Sequence, residues 1–418
     1  MLEDFIFCGL LGLFFFSQFC SLFEFAIIMY PYIISPPEAA APGVSVLIDI
    51  INDEYYMRLA LDIAAKAKGQ TGINPVVGCV VVKAGRIIGI GTHLKRGAGH
   101  AEVHALDMAG EEAKGATVYV TLEPCSYHGK TPPCSERIVA AQAAKVVVAM
   151  EDPNPKVAGR GIARLRECGV EVKVGVLAAE ARVLNEAFIK YITTGRPFVT
   201  LKTASTLDGK IAAKSGDSQW VTGPKAREMV HTLRHQHEGI MVGVGTALTD
   251  DPLLTTRLSV PAISPVRIVA DSALRLPSTA RLLQDGATRT YILTTERADP
   301  AKIKALEAAG VTVVASGAGK HVDLRIAMKR LGELEIGSIL LEGGGRLNGA
   351  MLEAALIDKV MLFYAPKIIG GAAAPVNFAL NGWDRMADAV QIGQMQVEVV
   401  GEDICLTGYP VYPGQSKR

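Results

Sequence analysis

The chain has 418 residues, with 43 Lys and Arg against 42 Asp and Glu and a net charge of +1. That length allows two or three domains with full cores, and the charge balance excludes the broad basic field that gathers nucleic acid. Its seven cysteines (Cys8, Cys20, Cys79, Cys125, Cys134, Cys168 and Cys405) are odd in number and thinly spread, which argues against a disulfide framework and for a reducing, cytoplasmic compartment.

Residues 1–45 differ from the rest. Phe5 to Phe23 carries no charge, and Phe25 to Ile34 is again apolar. The first run is long enough to span a bilayer. Yet Glu3 and Asp4 precede it and the first basic residue is Arg58, so neither a secretory signal nor a positive-inside pattern is present. Ser35 to Gly43 (SPPEAAAPG) reads as a linker. A membrane anchor and an appended segment without a role in the chemistry are the two readings.

Asn52 is placed to cap a helix over Asp53 to Lys68, with acidic residues in its first turn and Tyr56, Leu59 and Ile63 as its apolar stripe. Val76 to Val82 and Ile87 to Ile90 read as strands joined by a turn. A helix begins at about Gly99, and Thr117 to Leu122 is a strand. Glu123-Pro124-Cys125 and Thr131-Pro132-Pro133 each read as a helix opening. Both Cys125 and Cys134 are thereby expected at helix N-termini, where positive potential favours thiolates. Lys145 to Met150 and Val170 to Val176 are strands around a helix over Gly159 to Glu167. The alternation predicts an α/β layer with helices on both faces.

The first half contains a metal-type constellation. Zinc takes imidazole nitrogen and thiolate sulfur, and a catalytic site keeps one position open. His100, Cys125 and Cys134 supply three ligands, and Glu102 is left to move protons. His-x-Glu followed by Pro-Cys and a second cysteine marks the zinc nucleobase deaminases. Those usually place two residues between the cysteines, whereas SYHGKTPP stands here. His104 shares a helix face with His100, but a fourth protein ligand would close the site. It is read as packing or supporting, while His93 is a further candidate ligand. His128, within the insert, is either a substrate contact or a solvated loop residue. Cys79, Cys168 and Cys405 are read as small buried hydrophobes.

Thr193 to Pro197 (TTGRP) is the expected boundary. Strands follow at Phe198 to Thr203, Gly239 to Val244, Val266 to Ala270, Tyr291 to Thr295, Val311 to Ala315, Ser338 to Leu341 and Val360 to Tyr364. Helices are expected over Ala226 to His237 and from about Leu347. Gly343-Gly344-Gly345, between a strand and a helix, suits phosphate but is a weak signal alone. His231, His235 and His237 are expected on an amphipathic helix surface. Met351, Met361, Phe363 and Tyr364 are expected in the core.

Taken in order, NPVVG (Asn74 to Gly78), HAEVHAL (His100 to Leu106), TLEPCSYHGKTPPC (Thr121 to Cys134) and DPNPKVAGRG (Asp152 to Gly161) resemble the deaminase half of the bifunctional riboflavin-biosynthesis enzymes. LKTASTLDGKIA, SGDSQWVTG, TDDPLLTTR and LEGGGRLNGA resemble their reductase half. The resemblance begins near Asp53 and needs nothing upstream, so residues 1–45 are expected to be dispensable. It implies a cytidine-deaminase-like three-layer α/β domain over 46–195 and a dihydrofolate-reductase-like domain over 196–418. The implied activities are a hydrolase and an oxidoreductase. Zinc-dependent deamination of 2,5-diamino-6-(5-phosphoribosylamino)pyrimidin-4(3H)-one comes first. NADPH-dependent reduction to 5-amino-6-(5-phosphoribitylamino)uracil follows.

By the same resemblance, Ala204, Trp220, Thr246, Asp250 and Ser272 face NADPH. So does the stretch Gly344, Gly345, Arg346, Leu347, Asn348, Gly349 and Ala350. Asn74 holds the pyrimidine in the deaminase. Ser218, Arg234, Leu253, Arg257 and Glu342 face the reductase substrate. Arg234 and Arg257 suit its phosphate, since guanidinium binds phosphate with two donors at once. Lys202 is expected as a nearby cation. One zinc per deaminase domain, a small-molecule substrate, no nucleic-acid or membrane partner and a homo-oligomeric assembly complete the expectation. A base deaminase acting on nucleic acid is disfavoured by the charge balance. A purely structural zinc domain is disfavoured by the missing fourth ligand.

Overall fold

The computed structural model describes residues 50–127, 132–155, 157–286 and 288–413. Residues 1–45 and His128 lie outside them. Ile51–Arg418 forms one compact unit. Among the described residues no helix is long and apolar enough to cross a membrane.

The first sheet has five strands: β1 (Gly78–Lys83), β2 (Arg86–Thr92), β3 (Thr117–Val120), β4 (Lys145–Val148) and β5 (Glu171–Val174), in the order β2-β1-β3-β4-β5. β1 is antiparallel to β2 and β3, while β3, β4 and β5 run parallel. Ala84 and Gly85 close the β1–β2 hairpin at φ +48° and +76°, the left-handed pair that a two-residue turn requires. Helix α1 (Asp53–Ala65) starts as expected, because the Asn52 side chain accepts from the Tyr55 N–H at 2.9 Å.

Glycines show how tightly the layers close. A Cβ on Gly78 would lie 1.9 Å from the Ala60 carbonyl of α1, and one on Gly91 would lie 2.3 Å from the Ala101 carbonyl of α2 (Ala101–Ala109). Cys79 sits opposite Gly91 in the ladder, and successive residues of a strand face opposite sides. Gly78 and Gly91 therefore face different sides, and α1 and α2 cover opposite faces. This is the expected three-layer arrangement.

The remaining helices here are α3 (Cys134–Ala140), α4 (Arg160–Glu167), α5 (Ala178–Leu184) and α6 (Glu186–Thr194). The last two were not foreseen. The expected helix at Glu123–Cys125 does not form, and Thr121 to Tyr127 is irregular. Pro124 follows a side chain that is spent elsewhere, as shown below, so no cap is left to nucleate a turn. Gly195, at φ +66°, ends α6 and leads to the second sheet.

That sheet has nine strands, in the order β10-β9-β8-β7-β11-β6-β12-β14-β13. They are β6 (Phe198–Thr206), β7 (Gly239–Gly243), β8 (Val266–Ala270), β9 (Thr290–Thr294), β10 (Val311–Ala315), β11 (Ser338–Leu341), β12 (Lys359–Ala365), β13 (Gln391–Val400) and β14 (Asp403–Val411). The run from β10 to β12 is parallel, and β14 and β13 add an antiparallel edge. Its helices are α7 (Pro224–Gln236), α8 (Val244–Asp250), α9 (Pro300–Ala308), α10 (Leu324–Glu333) and α11 (Gly345–Glu353). In β7, Met241 packs into one hydrophobic cluster while Ile240 and Val242 pack into another. Both faces of β7 are thus buried, which is why it reads as an apolar run. Met351, Met361 and Phe363 are buried as expected, and Tyr364 is half-buried.

The two sheets are joined by polar contacts. Arg96 grips Glu335 with two bonds at 2.7 and 2.9 Å, Lys190 meets Asp358 at 2.6 Å, and Lys359 meets Glu186 at 2.8 Å. A Cβ on Gly332 would lie 1.9 Å from the Gly195 carbonyl.

Candidate active sites

His100, Cys125 and Cys134 come together as expected. One ligand atom from each lies within 4.8 Å of the others. His100 Nδ1 is 3.2 Å from Cys134 Sγ and 3.6 Å from Cys125 Sγ. His100 caps α2, and Cys134 is the first residue of α3. Cys125 has no helix of its own, contrary to expectation. Instead its sulfur accepts the Cys134 N–H at 3.3 Å, so both sulfurs gather at the N-terminus of α3, where amide donors favour thiolate. The hydrogen bond with Cys134, then that with His100, draws the Cys125 thiol down to about 4.

Glu102 sits in the first turn of α2 and is 3% exposed. Its Oε2 is buried without a hydrogen-bond partner. Burial pushes its carboxyl up to about 7, against the pull of its own backbone amide and of His100. A buried carboxyl with a free oxygen beside three soft and borderline ligands fits a zinc centre that works on a proton.

His93 is buried edge-on to His100, with ring centres 5.5 Å apart. Its Nδ1 lies 3.1 Å from the Gly99 carbonyl, which makes Nδ1 the protonated nitrogen. Nε2 then accepts from Asn74 Nδ2 at 3.3 Å. The amide of Asn74 is thereby oriented, with its oxygen turned away from His93. His104 packs under Gly91 and Gly99 and is not a member of the ligand group. Cys79 and Cys405 are buried as expected; Cys168 is exposed, because it ends α4 at the surface.

In the second sheet the expected residues collect at the carboxyl ends of the parallel strands. Ala204 lies near the end of β6, with Ser218 and Trp220 in the segment beyond. Thr246 and Asp250 open and close α8 after β7, and Ser272 follows β8. Glu342 and the Gly343–Gly345 turn follow β11. Strand order reverses around β7 and β11, and such a switch point is where open α/β sheets bind ligands. Helices α8 and α11 both start from glycine caps that lend no side chain to the free amides. They lie side by side: a Cβ on Gly344 would be 3.2 Å from Thr246 Oγ1. Asn348 is fully buried, with its Oδ1 against Gly343 and without a hydrogen-bond partner. Asn348 Nδ2 donates to the Asn377 carbonyl at 3.0 Å, and Gly349 abuts Ala379. Ser272 Oγ accepts from the Val322 N–H at 3.1 Å. Trp220 is exposed under the Arg227 guanidinium, 4.6 Å away.

Arg234 is committed within the protein. It donates to both Glu342 oxygens at 2.7 and 3.0 Å and to the Thr255 carbonyl at 3.0 Å. Lys202 lies 3.9 Å from the same carboxylate. Burial alone would raise the Glu342 carboxyl, but Arg234 and then Lys202 outweigh it and hold it at about 2. Arg257 is exposed at the rim, with Thr255 Oγ1 at 3.3 Å. Leu253 is half-buried in the same loop. His231 and His235 of α7, and His237 just past its end, are not a solvated face. His231 accepts the Arg257 N–H, His235 accepts the Ile263 N–H, and His237 bonds the Leu233 carbonyl and Thr200. Periodicity could not show that a loop folds back over this helix.

Comparison with known proteins decides the identity. Residues 50–150 match the cytidine and deoxycytidylate deaminase zinc-binding region, and residues 197–406 match the RibD C-terminal domain. The riboflavin biosynthesis protein RibD of Bacillus amyloliquefaciens is 44% identical over 358 residues, covering 86% of this chain and 96% of that protein. The chain belongs to the riboflavin biosynthesis protein RibD family. The RibD of Escherichia coli K12 is likewise 44% identical, over 85% of this chain and 99% of its own length. Acinetobacter baumannii RibD superposes with a TM-score of 0.78 at 38% identity, covering 86% of this chain and 99% of that one. The Thermotoga maritima diaminohydroxyphosphoribosylaminopyrimidine deaminase/5-amino-6-(5-phosphoribosylamino)uracil reductase superposes with a TM-score of 0.76 at 37% identity, over 86% and 99%. As a RibD family member the chain is a bifunctional riboflavin-biosynthesis enzyme, a hydrolase and an oxidoreductase. It pairs a zinc-binding deaminase domain with a reductase domain of the NADPH-dependent kind.

Proposed function

We propose that residues 46–195 deaminate 2,5-diamino-6-(5-phosphoribosylamino)pyrimidin-4(3H)-one and that residues 196–418 reduce the ribosyl chain of the product. The observation that carries the first step is the His100, Cys125 and Cys134 triangle beside the unpartnered Glu102 oxygen. Zinc, when bound there, makes water a competent nucleophile at neutral pH. Glu102 moves two protons in turn: it takes one from the attacking water and gives it to the ring nitrogen, then takes the remaining hydroxyl proton and gives it to the amine that departs as ammonia. Asn74, its amide set by His93, holds the pyrimidine edge. Ammonia release from this diaminopyrimidine, absent from protein stripped of zinc, tests the assignment.

NADPH, when bound, supplies hydride to C1′. The paired starts of α8 and α11, with Thr246 and Gly344 in contact, are suited to its phosphates. Asp250, Ser272, Ala204 and Trp220 line the same carboxyl edge. Lys202 and Glu342 lie at its centre, where a cation and a fixed anion orient the ribosylamine. Leu253 and Ser218 flank the substrate.

Since the Arg234 fork is held by Glu342, Arg257 is the arginine left for the substrate phosphate. A charge-assisted bond of roughly 1.5–3 kcal/mol corresponds to about 10- to 100-fold in affinity. Arg257→Ala is therefore expected to raise the reductase KM by that factor for the phosphorylated substrate and to leave deamination unchanged. A KM unchanged by the substitution would remove Arg257 from the site.

The protein acts in the cytoplasm as a homo-oligomer in this reading. Edge strand β13 exposes Met395, Val397 and Val399 on alternate positions, an apolar stripe that an edge strand ordinarily avoids. Light scattering on the purified chain is expected to give a multiple of the monomer mass, and a monomer at micromolar concentration would contradict it.

A further inference from the structure

Glu123 stands two residues before Cys125 and is 4% exposed. Its carboxylate accepts four backbone N–H groups. Oε2 takes those of Asp152 at 3.1 Å and Gly159 at 2.9 Å. Oε1 takes those of Gly161 at 2.8 Å and Ile162 at 3.3 Å. Gly161 and Ile162 belong to the first turn of α4, whose own N-cap, Gly159, offers no side chain. Glu123 therefore caps α4 from another part of the chain.

The backbones meet as closely as the side chain suggests. Glu123 N donates to the Met150 carbonyl at 3.0 Å. A Cβ on Gly161 would lie 1.9 Å from the Pro124 carbonyl, so only glycine fits. Cys125 itself sits on neither helix nor strand. It is fixed on its far side by Ser135, which donates to its carbonyl at 3.1 Å, and by the Cys134 amide on its sulfur. On its near side the backbone is tied to the sheet and to α4 through Glu123.

We propose that Glu123 is a positioning residue for the metal ligand Cys125: its carboxylate clamps the Pro124–Cys125 loop to the start of α4 and so sets where the sulfur stands. This rests on reading His100, Cys125 and Cys134 as the zinc ligands. Four amide donors on one carboxylate form a stiff, charge-assisted anchor. Groups that support metal ligands typically cost 10- to 100-fold in metal affinity or activity when altered.

The test uses the full chain with Glu123→Gln and Glu123→Asp beside the wild type. Gln keeps the shape but turns an N–H₂ group toward two of the amides. Zinc affinity is measured by competition with a chelator, amide exchange is followed at Gly159, Gly161 and Ile162, and the reductase rate is read on supplied deaminated substrate. Glu123→Gln is expected to weaken zinc binding by about 10- to 100-fold and to speed exchange at those amides. At saturating zinc its deaminase kcat falls while the reductase rate is unchanged. Glu123→Asp keeps the charge one methylene short and is expected to fall between. Wild-type zinc affinity in Glu123→Gln, with exchange accelerated, would mean that Glu123 only caps α4, and the proposal would fall. If Glu123→Gln does not accumulate as folded protein, wild-type zinc affinity in Glu123→Asp overturns it instead. Failure of the wild type itself to bind zinc would sink the ligand assignment and is separately visible.

Discussion

Glu102→Gln is expected to lose deamination by a factor of order 10²–10⁴, the usual share of general acid–base catalysis, while zinc content and NADPH-dependent reduction stay at wild-type levels. The side chain is buried in α2 and contributes an oxygen with no partner of its own. Gln has the same shape, so packing against the first core is preserved. It cannot accept a proton, which is the one property the reaction needs at that atom. Because burial lifts the carboxyl to about 7, the group is poised to take and return a proton near neutrality. Ammonia release by the variant at a near-native rate, with zinc in place, would show that another group moves the proton.

Glu342→Ala is expected to destabilise the second sheet's unit by about 3–5 kcal/mol, the range for removing one partner of a buried ion pair. Arg234 would lose both carboxylate bonds and Lys202 its counter-charge. Both cations sit among buried groups, with side-chain exposures of 12% and 15%. Denaturant unfolding of wild type and variant reads the difference directly. The pH dependence has a definite sign. The Glu342 carboxyl is held at about 2, below its ordinary 4.5. Its contribution is complete above about pH 4.5 and is lost as pH falls through 2. Glu342→Gln should therefore lose less stability than wild type across that acid window. A loss within about 0.5 kcal/mol for Glu342→Ala, the size of an ordinary surface change, would show that the pair is not structural.

Much of this architecture was legible in the chain itself. β8, β10 and β11 fall where expected: β11 is buried along its whole length and leaves an apolar run, while edge strand β10 is marked by its β-branched residues although Thr312 and Ala315 are exposed. The zinc triangle was legible because His-x-Glu followed by Pro-Cys and a second cysteine is a specific pattern. Other features left no such trace. α5 and α6 bury only Ala181 between them, so no strongly apolar face marks them and the sequence there resembles a linker as much as a helix. β13 alternates polar and apolar residues yet buries none of them, so no buried face marks it. Cys125 was expected on a helix because Glu-Pro-Cys has the composition of a helix start. The Glu123 side chain is instead drawn 29 to 39 residues along the chain to Asp152 and Ile162. Arg234 was expected on phosphate, but a guanidinium beside a buried carboxylate satisfies the carboxylate first. Such long-range pairings are decided by the fold and not by the local pattern.

The central claim is that one chain performs two reactions in order on one substrate. The most direct measurement is to incubate the purified full chain with zinc and the diaminopyrimidine ribosylamine phosphate, with and without NADPH, and identify the products by mass spectrometry. Without NADPH, ammonia and the deaminated ribosylamino product should accumulate and go no further. With NADPH, the ribitylamino product should form with one NADPH consumed per ammonia released. NADPH oxidation on the diamino substrate without ammonia release, or no ammonia from zinc-loaded protein, would contradict the account.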